Sequence, residues 1–173
     1  AGTAEEAGLI WVNTLAAPAA AMVGWLITER IRDGRPTSLG AASGIVAGLV
    51  AITPACASVS PLGALGLGLV SGILAALAVG LKCKFGYDDS LDVVGVHLVA
   101  GLVGTVALGF IALPVDGEGD GLFYGGGFAQ LGAQIVATVV AIVFSAVMTL
   151  IIGLAIHKTM GFRVTEEQEI NGV

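Results

Sequence analysis

His97 stands in the run Asp92-Val93-Val94-Gly95-Val96-His97, at the start of an almost wholly apolar stretch. Between Leu91 and Leu113 the only ionisable side chains are Asp92 and His97. If the stretch is helical, Asp92 marks its start, where a carboxylate suits the positive end of the helix dipole. His97 follows five residues later, roughly 7–8 Å along the axis. An ionisable group buried in an apolar span is costly unless it meets a polar partner or a water-filled path. Two readings stand for His97. It forms an interhelical hydrogen bond that locks packing, or it lies on a transport path, where a neutral imidazole donates to and accepts from a small polar solute. On an α-helical period it shares a face with Gly101, Gly104 and Leu108, which are too small or apolar to form a metal cage.

The other polar positions carry less chemistry. Thr53, in Ile52-Thr53-Pro54-Ala55-Cys56, is either a helix-end hydrogen bonder or a pore-facing hydroxyl. His157, next to Lys158, reads as an interface residue reaching the headgroups. Asp88, Asp89 and Ser90 read as helix-start acids and a cap. Cys56 and Cys83 flank one apolar segment at opposite ends. A helix of about 20 residues holds its ends roughly 30 Å apart, which forbids a disulfide. Trp11 and Trp25 fit the ends of the first apolar segment as interface anchors. No Ser/His/Asp arrangement, phosphate-binding glycine loop or H-E-x-x-H run is present. The expectation is therefore a protein that is not an enzyme, with no cofactor and no metal site.

The elements that must position His97 follow from composition. Of 173 residues, 56% are hydrophobic and 12% charged, against about 25% charged in soluble domains. Such a chain reads as an integral membrane protein. It lacks the long alternating segments of an outer-membrane barrel. Five segments are apolar enough to be spans, each needing about 20 residues as helix. They are 7–27, 39–57, 62–81, 91–113 and 129–156. The last is the longest and should tilt. Pro18 falls within the first, where it can kink a helix. Pro54 and Pro61 bracket a turn between the second and third. The 27 glycines include two stripes of G-x-x-x-G spacing: Gly40, Gly44 and Gly48, then Gly68 and Gly72. Small residues let membrane helices approach closely. They are expected to face lipid or a mate outside this chain.

All seven basic residues fall on one side of this plan. Arg30, Arg32 and Arg35 follow the first segment, Lys82 and Lys84 the third, Lys158 and Arg163 the fifth. The positive-inside rule then places the N-terminus outside and the C-terminal tail in the cytosol. Glu5, Glu6, Asp116, Glu118 and Asp120 gather on the outer side. An acidic mouth there would modestly concentrate cations, and a plain solvated loop would look the same.

Several runs together resemble the Amt/Rh family of ammonium transporters. Trp11-Val12-Asn13-Thr14 with Ala16-Ala17-Pro18-Ala19-Ala20 resembles the family's seventh helix. Leu39-Gly40-Ala41-Ala42-Ser43-Gly44-Ile45-Val46-Ala47-Gly48-Leu49-Val50, with Ile52-Thr53-Pro54-Ala55-Cys56, resembles the eighth. Asp92-Val93-Val94-Gly95-Val96-His97 resembles the tenth. Gly161-Phe162-Arg163-Val164, with Glu166-Glu167-Gln168-Glu169, resembles the start of the cytosolic tail.

The resemblance implies an all-α transmembrane bundle: spans seven to eleven, the C-terminal half of an eleven-helix fold built on inverted repeats. It implies a transmembrane region over 1–160 and a cytosolic tail over 161–173. It further implies a multi-pass protein of the inner (plasma) membrane and a homotrimer with one pore in each subunit. Ammonium is the implied substrate, and a PII-type signal protein the implied partner of the tail. His97 matches the second of two pore histidines. Thr3 falls where the family has a small hydroxyl at the outer vestibule. The first pore histidine, the vestibule Trp, the gate phenylalanines and the acidic recruitment residue have no counterpart here. A half-fold is expected to conduct nothing alone. An ammonium sensor of the same family is the alternative function.

Overall fold

A computed structural model describes residues 4–114 and 121–172, and no strand forms among them. The chain divides into two compact units, Ala1–Ile135 and Val136–Val173. Unit one is organised around α1 (Ala4–Asp33), a 30-residue helix that continues through Pro18. It packs against both α2 (Ser38–Ile52) and α3 (Pro61–Val79). The short α4 (Leu81–Phe85) extends α3. A π-helical turn, Val94–Val99, then leads into α5 (Ala100–Ile111). Both lie against α2 and α3. A 3-10 turn, Leu122–Tyr124, precedes α6 (Ala129–Thr159), and α7 (Glu166–Asn171) forms in the tail.

The core is made of small residues. Ala17, Ala21, Ala47, Ala51, Ala64, Ala75 and Ala100 are fully buried. Large apolar side chains such as Leu62, Leu69, Val70 and Leu77 are exposed. Water would drive the opposite arrangement. In lipid, where tails are as apolar as leucine, close van der Waals packing of small residues holds helices together. The glycine stripes fill this role inside the chain. A Cβ on Gly68 or Gly72 would strike the backbone of Ala17 or Ala21 on α1. Gly44 and Gly48 of α2 meet Met22, Ala21 and Pro18 of α1. The stripes therefore do not face a mate outside the chain, as expected above; their mate is α1. Between α2 and α3, the fully buried Ser71 hydroxyl donates to the Ala47 carbonyl at 3.3 Å.

Four of the described helical segments are long and apolar enough to cross a membrane: Glu6–Asp33, Pro61–Phe85, Val94–Ile111 and Ala129–Thr159. The remaining apolar segment, expected over 39–57, is helical only over Ser38–Ile52. Pro54 has no N–H to continue the ladder. The chain instead closes in turns, Ala55 N–H donating to Ile52 O and Ser58 N–H to Ala55 O, both at 2.9 Å. Fifteen helical residues reach about 22 Å, short of a roughly 30 Å hydrocarbon core. Start signals are regular elsewhere. Thr37 caps α2 through Gly40 N–H at 2.8 Å, and Ser60 caps α3 through Gly63 N–H at 3.1 Å, with Pro61 in the first turn.

Unit two is the later part of α6 and the tail. α6 is apolar over most of its length and ends at His157, Lys158 and Thr159. The acidic tail segment is a capped helical turn rather than plain coil. The Thr165 hydroxyl and the Gln168 side chain form a reciprocal capping box, and Arg163 Nε pairs with Glu169 Oε1 at 3.0 Å.

Candidate functional site

Three tethers build the start of the His97 helix. The carboxylate of Asp89 accepts from Val93 N–H at 2.8 Å and Val94 N–H at 2.9 Å, meeting two of the free donors at a helix start. Asp92 itself adopts a left-handed backbone, φ 56°, and its carbonyl accepts from Val96 N–H at 2.8 Å. Its carboxylate turns to Lys82, with Nζ 2.6 Å from Oδ1. Asp92 thus stands at the helix start, but the helix-capping carboxylate is that of Asp89. Finally, Gly95 presses against α3. A Cβ there would meet Val79 N at 3.0 Å and Ala75 O at 3.1 Å.

His97 lies on the π turn and is exposed. An α-helical period would place it on the face of Gly101, Gly104 and Leu108. Of these, Gly104 and Leu108 are buried, and a Cβ on Gly104 would strike Ala51 of α2. The π turn explains the difference. A wider turn slips the helical phase, so an α-period count from residues 104 and 108 back to 97 lands on the wrong face. Among the described residues no hydrogen bond to the imidazole is formed. Its ring nitrogens are open to a solute, on a segment whose neighbours Val93 and Leu98 are also exposed.

Thr53 is exposed at the end of α2, its hydroxyl donating to the Leu49 carbonyl at 2.7 Å. Val50 and Ala51 sit level with Gly101 and Gly104. His97 is seven residues before Gly104, about 10 Å along the axis. The structure therefore does not bring Thr53 and His97 together. Thr3, Asp116, Glu118, Asp120 and the Glu5 side chain lie outside the described residues. Cys56 and Cys83 are free thiols, the first half-buried and the second exposed.

Sequence reasoning missed buried polar groups, two of which tie α1 to other elements. Asn13, fully buried on α1, donates from Nδ2 to Cys56 O at 2.9 Å and Val59 O at 2.7 Å. An amide within an apolar span was the available signal, because such a group needs partners. Near the C-terminal end of α1, Glu29 is 8% exposed. It accepts from the Trp25 indole at 3.1 Å and from Thr37 N–H at 2.8 Å. Trp25 is consequently a buried hydrogen-bond donor, 4% exposed, rather than an interface anchor. Trp11, 69% exposed, stays at the surface.

The profile of the Ammonium Transporter Family matches residues 1–173. An ammonium transporter of Mycobacterium tuberculosis is 58% identical over 174 residues, covering 96% of this chain and 36% of the relative. The crystal structure of Saccharomyces cerevisiae Mep2 superposes with a TM-score of 0.87 at 29% identity, over 96% of this chain and 39% of that one. A structure titled Sensor Amt Protein superposes with a TM-score of 0.86 at 32% identity, over 98% and 42%. The chain thus spans well under half the length of the relatives it matches.

Proposed function

This chain belongs to the ammonium transporter family, and on that premise we propose that it supplies the His97-bearing wall of an ammonium-conducting pore in a cell membrane. The observation that carries the reading is the exposed imidazole on the π turn. The rest of unit one has its small residues packed inward. A histidine in an apolar segment, with no hydrogen-bond partner among the described residues, serves a path for a polar solute better than it serves packing.

The chemistry is self-consistent. Ammonium and K⁺ are close in size, so a pore selects poorly between them by diameter. Burying either ion in an apolar channel is expensive. Ammonium can leave its proton at the mouth and cross as neutral ammonia, whereas K⁺ has no proton to leave. A neutral imidazole offers ammonia a donor and an acceptor, and can relay a proton.

The finer features belong to the same proposal. Thr53 offers a hydroxyl oxygen towards the outer side, Thr3 is assigned to the outer vestibule by its place in the sequence alone, and Asp92 holds the start of the pore helix. The N-terminus faces outward and the tail is cytosolic, in an inner or plasma membrane. The functional assembly is a homotrimer, and the tail from residue 161 docks a PII-type signal protein. The Mycobacterium tuberculosis relative is called a transporter and one structural neighbour a sensor, and no enzymatic role is proposed. A sensor function is the second reading, favoured by the likeness to the sensor structure.

The test is uptake of methylammonium by the full-length protein in proteoliposomes, with K⁺ as competitor. His97→Leu keeps roughly the same volume and should lower uptake at least tenfold or admit K⁺. Wild-type uptake and selectivity in that variant would return His97 to a packing role. No uptake by the wild-type protein, with ammonium binding retained, would favour the sensor.

A further inference from the structure

Lys82 sits just past the end of α3, fifteen residues before His97, yet it reaches the start of the His97 helix. Its Nζ is 2.6 Å from Asp92 Oδ1 and donates to the Asp89 carbonyl at 3.0 Å. Asp92 is the one non-glycine residue with positive φ among the described residues. That conformation crowds an L side chain, and aspartate tolerates it better than most. The Asp89 carboxylate already caps Val93 and Val94 N–H. The Asp92 carboxylate is therefore free for Lys82, and the pair is only about a quarter exposed, 29% and 27%.

The consequence is rotational. A left-handed residue resets the direction of the chain immediately before the helix. Whatever fixes that residue fixes the phase at which the helix begins. Five residues later the phase decides where residue 97 points. The π turn holds one more residue than an α turn would, and each α-helical residue turns by about 100°. Relaxing the π turn to α would swing His97 by a comparable angle, towards the side where Gly104 and Leu108 pack. Gly95 keeps the turn seated on α3 but has no charge with which to hold its rotation.

We infer that the Lys82–Asp92 ion pair is a positioning element that holds the π turn in phase and keeps the His97 imidazole on the open face. The inference rests on the pore reading of His97 for its functional meaning, and on geometry alone for its mechanism.

The experiment uses the full-length protein with Cys56 and Cys83 replaced by serine and a reporter thiol placed by His97→Cys. The labelling rate by a small neutral thiol reagent is measured with Lys82 intact and in Lys82→Met, Lys82→Arg and Asp92→Asn backgrounds. A second reporter, Leu74→Cys on the exposed side of α3, monitors the bundle. Lys82→Met and Asp92→Asn should slow labelling at position 97 at least fivefold and leave position 74 within twofold. Lys82→Arg keeps the charge and should restore the rate at 97. Unchanged labelling at 97 in every background would overturn the inference. So would an equal change at 74 and 97, which would make the pair a general staple. Methylammonium uptake is then measured in the same Lys82 variants with His97 present. A shift in labelling with unchanged uptake would uphold the positioning and overturn instead the pore role of His97.

Discussion

The Asn13 side chain donates to the Val59 carbonyl at 2.7 Å, joining the middle of α1 to the turn between α2 and α3. The same amide nitrogen reaches Cys56 O. The Val59 carbonyl is buried and that of Cys56 partly so, and Asn13 supplies the donors that a helix would otherwise provide.

Asn13→Leu should therefore destabilise the full-length protein, because it leaves one buried and one partly buried acceptor unpaired. The cost expected for each is about 1–3 kcal/mol. A lowered midpoint in thermal unfolding in detergent, followed by gel filtration, would show it. A midpoint equal to wild type would mean that the turn is held by other contacts.

The glycine stripes allow a sharper comparison. Gly72→Ala places a Cβ against the Ala21 backbone, whereas Gly132→Ala and Gly153→Ala on α6 meet nothing within 4 Å. Overpacking should cost the Gly72 variant about 1–3 kcal/mol or more. The α6 variants should be neutral or slightly more stable, since alanine is the better helix former. Equal behaviour of the three in a detergent melting series would contradict α1–α3 packing.

Orientation can be read from the free thiols. Cys83 is exposed beside Lys82 and Lys84, on the side assigned to the cytosol. An impermeant maleimide should leave it unlabelled in sealed cells and label it in inside-out vesicles. Labelling of Cys83 from the outside of sealed cells would reverse the topology.

The tail prediction concerns a partner. Thr165, Gln168, Arg163 and Glu169 pre-form a capped turn that presents Glu166 and Glu167. Deleting 161–173 from the full-length protein should remove capture of a PII-type protein. Thr165→Ala should weaken it several-fold, because an N-cap contributes about 1 kcal/mol to helix formation. Equal capture by the intact and shortened proteins would free the tail of that role.

Much was legible in the residues alone. Apolar segments, their number and the clustering of all basic residues after alternate segments follow from transfer energies that each residue carries with it. His97 is conspicuous because an ionisable group is rare in such a stretch. The caps at Thr37 and Ser60 and the stop at Pro54, whose missing N–H shortens α2, are local signals too, but the expected span over 39–57 overlooks them. Relationships between segments were not legible. G-x-x-x-G spacing shows that something approaches closely, but only the packed structure shows that the partner is α1. Periodicity assumes one turn geometry throughout. The left-handed Asp92, the Lys82 ion pair and the contact of Gly95 with α3 changed that geometry, and with it the face on which His97 lies. Trp25 and Glu29 pair at i, i+4 within α1, a spacing already present in the sequence; their burial and the contact of Glu29 with Thr37 arise only when α1 and α2 pack. Composition is summed residue by residue and can be read from a list. Phase and partnership depend on distances between segments, and those exist only once the chain has folded.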